Sequence, residues 1–455
     1  MQDRDQPLAI CGTAFHTPYV DTLEILEDVL IEFDGTGTIL NLLQPRDTDY
    51  ARAKAGAAEA GRLVVLRDGQ YLLPGLVDLH VHAPQWPQTG KALNLPLADW
   101  LHAHTFPLEA RYADRAFAQR IYRSLVGHLL ANGTTTALYF ATIHHEASLA
   151  LAEICLEKGQ RAVIGRVAMD DPRQCPEYYR DPSAAAGIDA TRRFNAAVRA
   201  LPGNGRTLVM PCVTPRFIPS CTDRLLAGLG EIARTDGCHV QTHCSESDWA
   251  ARYTIDRFGR SDTEVLRDMG LLTRQSVLAH GNFMSLDDFD LVHRHGAGIA
   301  HCPLSNFYFA NSVFPARSAL ANGVHVGLGT DIAGGHSPSI LDACRHALAA
   351  SRALGEGVDP GLSSERRGTG AEALDPVEAF WLATAGGAEV LDLPVGSFQT
   401  GKQFDAICVD LAAAHSNLAV WEDMDGLPDV FQKIVYNAGR ANIAHVWVAG
   451  RQVHG

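Results

Sequence analysis

The sequence predicts an α/β protein, a (β/α)8 barrel of TIM type carrying a small composite β-sandwich domain made from both ends of the chain. Two observations predict the barrel. Apolar strand-like runs alternate with helix-compatible stretches over roughly 300 residues, the size of such a barrel. Four of these runs end in residues that bind metals: His80 and His82, His243, His280, and Asp331. A barrel gathers its chemistry in this way because the C-terminal ends of its strands open on one face. A third observation predicts the sandwich. Short β-rich runs separated by turns flank the barrel on both sides.

The elements follow in order. LEILEDVLIEF, GTILNLL and RLVVLRDGQYLLP place strands in 8–48 and 62–73, and Pro74-Gly75 breaks the chain before the first barrel strand. The expected barrel strands are 76–82, 134–141, 161–170, 206–217, 239–246, 276–281, 297–303 and 325–331. Helices are expected at 113–131 and 222–235, and a long one at 376–391. The tail returns to β character in VGSFQTGKQFDAICVDL, IVYNAG and IAHVWVAGRQV, and is expected to pair with the N-terminal strands. The expected boundaries are 1–73 and 392–455 for the two parts of the β-sandwich domain and 74–391 for the barrel.

Bulk properties exclude several classes. A formal charge of −14 disfavours nucleic acid or an anionic membrane as a partner. No apolar run approaches the roughly 20 residues that span a bilayer. The start, MQDRDQPLAICGTAF, lacks a basic region followed by a long apolar stretch, so secretion is not expected. Ten cysteines without a CxxC pair read as reduced packing groups, in keeping with a cytoplasmic protein. His102, His104, His128, His293, His295 and His346 lie in helix-like or loop-like stretches and are expected to bind nothing.

In a strand the side-chain period is two, so His80 and His82 point to one face and form half a divalent-metal site. His243 ends the fifth strand, with Glu246 three residues on. A core histidine is the plain alternative for His243, a helix N-cap for Asp331, and a structural strand-end histidine for His280. Neutral imidazoles with a carboxylate suit zinc or iron(II), and such an ion lowers the pKa of bound water toward about 7. Glu246, near the metal edge, has the position for a proton shuttle, and His280 for holding the attacking water. Only five lysines are present, none between 159 and 401, and the fourth strand ends in Thr214-Pro215-Arg216-Phe217. A lysine-bridged pair of metals is therefore not expected. His144-His145-Glu146 starts a deaminase-like H-x-E, but no P-C-x-x-C follows, and HExxH, GxGxxG and GxSxG are absent.

Gln85 and Trp86 lie just beyond the first strand, and Arg216 and Phe217 end the fourth. An amide and a guanidinium beside two aromatic faces suit a flat heterocycle with carbonyl and ring-nitrogen acceptors. The equal alternative for Arg216 is an ion pair with a nearby acid.

PGLVDLHVHAPQW, NGTTTALYFATIH, VTPRF, HCSE, LAHG, IAHCPLSN and LGTDIAGG resemble the amidohydrolase superfamily, and HAPQ, TFPLEARY, YFATIH and TPRF its guanine deaminase branch. The resemblance runs from about residue 8 to the end. It implies hydrolytic deamination of guanine to xanthine and ammonia. It implies one zinc on His80, His82, His243 and Asp331, with Glu246, Asp331 and His280 catalytic. It implies that His82, Gln85, Trp86, Arg216, Phe217, His243, Glu246, His280 and Asp331 surround the substrate, in a cytoplasmic homodimer. The alternatives are the same scaffold acting on 8-oxoguanine, a pterin or a triazine, or a non-catalytic scaffold protein. The last would be expected to lose metal ligands, and this chain keeps a full set.

Overall fold

The computed structural model describes residues 8–455, so the first seven residues of the predicted N-terminal segment lie outside the described residues. The N-terminal part forms β1 (Leu8–Tyr19), β2 (Thr22–Phe33), β3 (Ile39–Leu43), β4 (Leu63–Val65) and β5 (Gln70–Pro74). The barrel strands are β6 (Leu76–His82), β7 (Thr134–Phe140), β8 (Arg161–Ala168), β9 (Val209–Pro215), β10 (His239–Cys244), β11 (Ser276–His280), β12 (Gly298–His301) and β13 (His325–Leu328). The C-terminal part adds β14 (Ala406–Asp410), β15 (Ile443–Val448) and β16 (Arg451–His454).

The barrel strands run β6 to β13 in spatial order, each parallel to its neighbour. Such strands are covered on both faces, which is why they read as continuous apolar runs. The barrel closes just beyond β13. The Asp331 N–H donates to the His80 carbonyl at 2.8 Å, and the His82 N–H to that of Ile332 at 2.8 Å. Helices alternate with the strands, and their ends follow local chemistry. Asp114 caps Arg115–Ala131 through the Ala116 and Phe117 N–H groups. Thr222 caps Asp223–Asp236, which stops at Gly237 in the left-handed conformation (φ 57°).

The β domain is composite, as expected: β5 pairs antiparallel with β14, joining the two ends of the chain in one sheet. One apolar cluster draws on both arms, including Ile31 and Phe33 on one side and Ala406 and Trp447 on the other. Phe33 stacks on Phe404 at 4.3 Å. The sheet is pinned to the end of the barrel where β8 begins by a buried ion pair in which Arg161 donates twice to Asp405, at 3.1 Å each.

Two expectations fail. The long helix at 376–391 is two helices, Pro376–Ala383 and Ala385–Val390, broken at Thr384, whose backbone is not helical (φ −130°, ψ −94°). IVYNAG is not a strand. It continues the helix Leu427–Asn437, whose buried Val430, Phe431, Ile434 and Val435 recur at helical spacing.

Candidate active site

The site lies where the barrel strands end. Three positions there hold left-handed backbone without being glycine: Ser245 (φ 48°), His280 (φ 78°) and Asp331 (φ 50°). Such conformations cost of order 1 kcal/mol or more each and persist where surrounding structure enforces them. At Asp331 the enforcement is the hydrogen bond that closes the barrel. The small residues before it have a clear purpose. A Cβ on Gly329 would lie 2.8 Å from the His80 Cβ and 3.0 Å from the Cys302 Sγ, so only glycine lets the eighth strand end rest against the first.

The predicted ligands converge. Asp331 Oδ1 lies 3.2 Å from His80 Nε2 and 3.5 Å from His82 Nε2. The Nε2 atoms of His82 and His243 stand 2.9 Å apart. His243 Nδ1 donates to the Arg216 carbonyl at 2.6 Å, which leaves its Nε2 a lone pair facing the cluster. Burial, reinforced by the neighbouring His80, pushes the pKa values of His82 and His243 well below the usual histidine range, so both rings are neutral. Burial opposes the charge on Asp331, yet the adjoining His80 holds its carboxyl below the ordinary value. His80 Nε2 and His280 Nε2 are buried without a hydrogen-bond partner. Lone pairs crowded together, orphaned ring nitrogens and one carboxylate form a donor set for a divalent cation. Phe140 packs against His80, His82 and His243 at 4.8 to 4.9 Å and fixes the rings.

Glu246 and His280 stand beside this cluster. The turn that carries Glu246 is held by Asp262, which accepts from the Ser245 N–H at 2.6 Å, and by the Asn282 amide, which donates to the Glu246 carbonyl at 2.9 Å. Burial, then the Asp331 charge, push the Glu246 carboxyl up to about 8, against the pull of Arg216. A dication nearby would act in the same sense as Arg216. A carboxyl balanced between these forces can both take and give a proton near neutral pH. His280 Nε2 lies 3.7 Å from Glu246 and 3.9 Å from Asp331, while its Nδ1 meets Asn306 Oδ1 at 3.0 Å. Burial lowers its pKa to about 4.

A cleft of about 360 Å³ opens over the cluster. Of the predicted substrate contacts, His82, Gln85, Arg216, Phe217, His243, Glu246 and Asp331 line it. His280 is not on the wall but buried beside the ligand cluster at the floor, its ring packed near His80 and His243. Trp86 is a correction, because it faces away. Its indole N–H donates to Ser124 at 3.2 Å and its ring packs on His128. The cause is the 3-10 turn Ala83–Gln88, in which neighbouring side chains point about 120° apart, so Gln85 turns in and Trp86 out. The aromatic wall comes instead from Trp100 and Phe309, 5.0 Å apart, with Leu97 and Leu101.

Arg216 combines the two readings left open for it. It lines the cleft, and it is also ion-paired: Nη1 donates to Glu109 Oε2 at 2.6 Å and Nη2 to Oε1 at 3.2 Å. Glu109 is not among the residues that the sequence marks as functional. Its signal in the sequence is the helix FPLEA within TFPLEARY, where Glu109 is the one charged residue among apolar ones.

The sequence pattern of the amidohydrolase family matches residues 71–453. The chain belongs to the amidohydrolase family. Its metal-type donors and its shuttle-type carboxylate therefore sit in a family framework that spans the whole barrel. Among relatives, a probable guanine deaminase of Schizosaccharomyces pombe is 39% identical over 98% of this chain and 83% of its own length. Human guanine deaminase is 37% identical over 97% of this chain and 95% of its own. Among solved structures, guanine deaminase from C. acetobutylicum, with guanine bound in its active site, matches with a TM-score of 0.86 at 27% identity. That match covers 98% of this amidohydrolase and 100% of the other chain.

Proposed function

We propose that this amidohydrolase deaminates guanine hydrolytically to xanthine and ammonia, with one zinc ion held by His80, His82, His243 and Asp331. Full-length similarity to guanine deaminases is the observation that carries the substrate. The cleft supports the chemistry. When bound, the metal supplies Lewis acidity that makes water acidic enough to lose a proton near neutral pH. The protein's own groups do the rest. Gln85 and Arg216 meet the acceptor-bearing edge of the purine, and Phe217 covers a face. That pose directs C2 toward the ligand cluster. Water adds its oxygen to C2, and Glu246 carries one water proton to ring N3. The second proton goes to the exocyclic amine, the C2–N bond breaks, and ammonia leaves. Asp331 assists the first transfer as an acceptor, and His280 holds the water in line.

Cytoplasmic residence and a homodimer belong to the same proposal. Ten unpaired, buried cysteines support the first. Among the described residues no helix is long and apolar enough to cross a membrane. The dimer rests on family resemblance alone. The test of function is ammonia release by the metal-loaded protein given guanine, with xanthine formed in equal amount. Failure to release ammonia from guanine overturns the proposal.

A further inference from the structure

We propose that Glu109 is a positioning residue that sets the specificity of the site by aiming both substrate-reading donors, Gln85 and Arg216. The inference rests on the guanine reading above and deepens it. Glu109 belongs to the helix Phe106–Ala110 and is fully buried, yet it is not part of the cleft wall. Its two oxygens serve three donors. Oε1 accepts from Gln85 Nε2 at 2.9 Å and from Arg216 Nη2 at 3.2 Å, and Oε2 accepts from Arg216 Nη1 at 2.6 Å.

This arrangement leaves no freedom in the amide. A carboxylate can only accept, so Gln85 must turn its NH2 toward Glu109. The Ala333 N–H can only donate, and it meets Gln85 Oε1 at 3.3 Å. Both ends of the amide are thus assigned by partners of fixed sign. The guanidinium is held flat by the two-pronged pair, with Phe106 5.1 Å from its centre. Its N–H groups not engaged by Glu109, and the second amide hydrogen of Gln85, are left for a ligand. Both are donors, so the wall suits the O6 and N7 acceptors of a 6-oxopurine and opposes the 6-amino group of adenine. Without the Glu109 charge, the guanidinium would be buried unpaired and the amide free to rotate.

The experiment uses hypoxanthine, which carries the same O6 and N7 edge and has no 2-amino group to lose. Its equilibrium affinity for the metal-loaded protein is measured beside guanine kinetics in wild type and Glu109→Gln. The expected result is hypoxanthine binding weakened roughly 10- to 100-fold, as for loss of charged hydrogen bonds. KM for guanine should rise in step while kcat changes much less, and metal content should stay normal. A residue that only supported the fold would lower the active fraction and leave both affinity and KM alone. Wild-type affinity and KM in Glu109→Gln overturn the proposal. Should that variant not fold, Glu109→Asp carries the test. It keeps the charge but is too short to reach all three donors, so weakened hypoxanthine binding supports the proposal and unchanged binding overturns it. A wild-type protein that binds hypoxanthine yet releases no ammonia from guanine counts against the functional reading instead.

Discussion

The floor and the wall of the cleft are built on opposite principles. On the floor, two ring nitrogens lack hydrogen-bond partners within the protein. His80 Nε2 and His280 Nε2 are orphaned, and the His82 and His243 lone-pair region is crowded to 2.9 Å. On the wall, Gln85 and Arg216 are bound to Glu109 before any ligand arrives. The floor is arranged to be completed by a cation. The wall is complete in itself, which fixes the direction of its remaining donors. The difference separates two kinds of failure. Damage to the floor should remove metal and chemistry together, while damage to the wall should spare the metal and impair recognition.

The largest effect should come from the floor. His82→Ala removes one of the four proposed ligands, and elemental analysis should find the metal lost and ammonia release gone. The wild type should carry one ion per chain, because no lysine bridges a second. Next is Glu246→Gln, which preserves shape but cannot carry a proton. It should keep its metal and lose roughly 10²- to 10⁴-fold in kcat. Near-normal turnover there would move the shuttle to Asp331 or His280. On the wall, Arg216→Ala should lower kcat/KM for guanine by about 10²-fold with metal content unchanged, since the charged donors facing the purine go and Glu109 keeps only Gln85 as a partner. Arg216→Lys should recover little, because an ammonium cannot make the two-pronged contact.

The smallest effect concerns stability. Burial raises the Asp262 carboxyl to about 6, above its ordinary value near 3.8. A folded pKa above the unfolded one favours the native state at low pH, and that contribution is lost as pH rises through about 6. Asp262→Asn can keep the acceptor for the Ser245 N–H and cannot ionise. Denaturant midpoints between pH 4 and 7 should show a flatter profile for the variant than for wild type. An unchanged slope would mean that another group governs it.

Most of the floor was legible in the sequence and much of the wall was not. Parallel barrel strands are buried on both faces, so each is a continuous apolar run, and the candidate site residues mark the run ends: His82 ends β6, His280 ends β11 and His243 lies one residue from the end of β10. Asp331 lies three residues past the end of β13, where glycines permit the close approach. The wall comes from irregular segments without a period. Trp86 departs from the expected position because a 3-10 turn follows His82. Glu109 meets Arg216 across 107 positions of sequence, and no local pattern links the two. Trp100 and Phe309 reach the cleft from separate short turns of helix. IVYNAG alone reads as a strand because the window begins after Val430 and Phe431, which complete the apolar stripe of the helix.

The central claim is that the floor does hydrolytic chemistry on guanine, a 6-oxopurine whose acceptor edge the wall accepts. The most direct test is ammonia release by the metal-loaded protein across guanine, adenine, cytosine, 8-oxoguanine and a pterin. The account predicts rapid release from guanine with equimolar xanthine, and almost none from adenine, whose 6-amino hydrogens face the Gln85 and Arg216 donors. Adenine turned over as readily as guanine, or guanine left intact while another base is consumed, would contradict it.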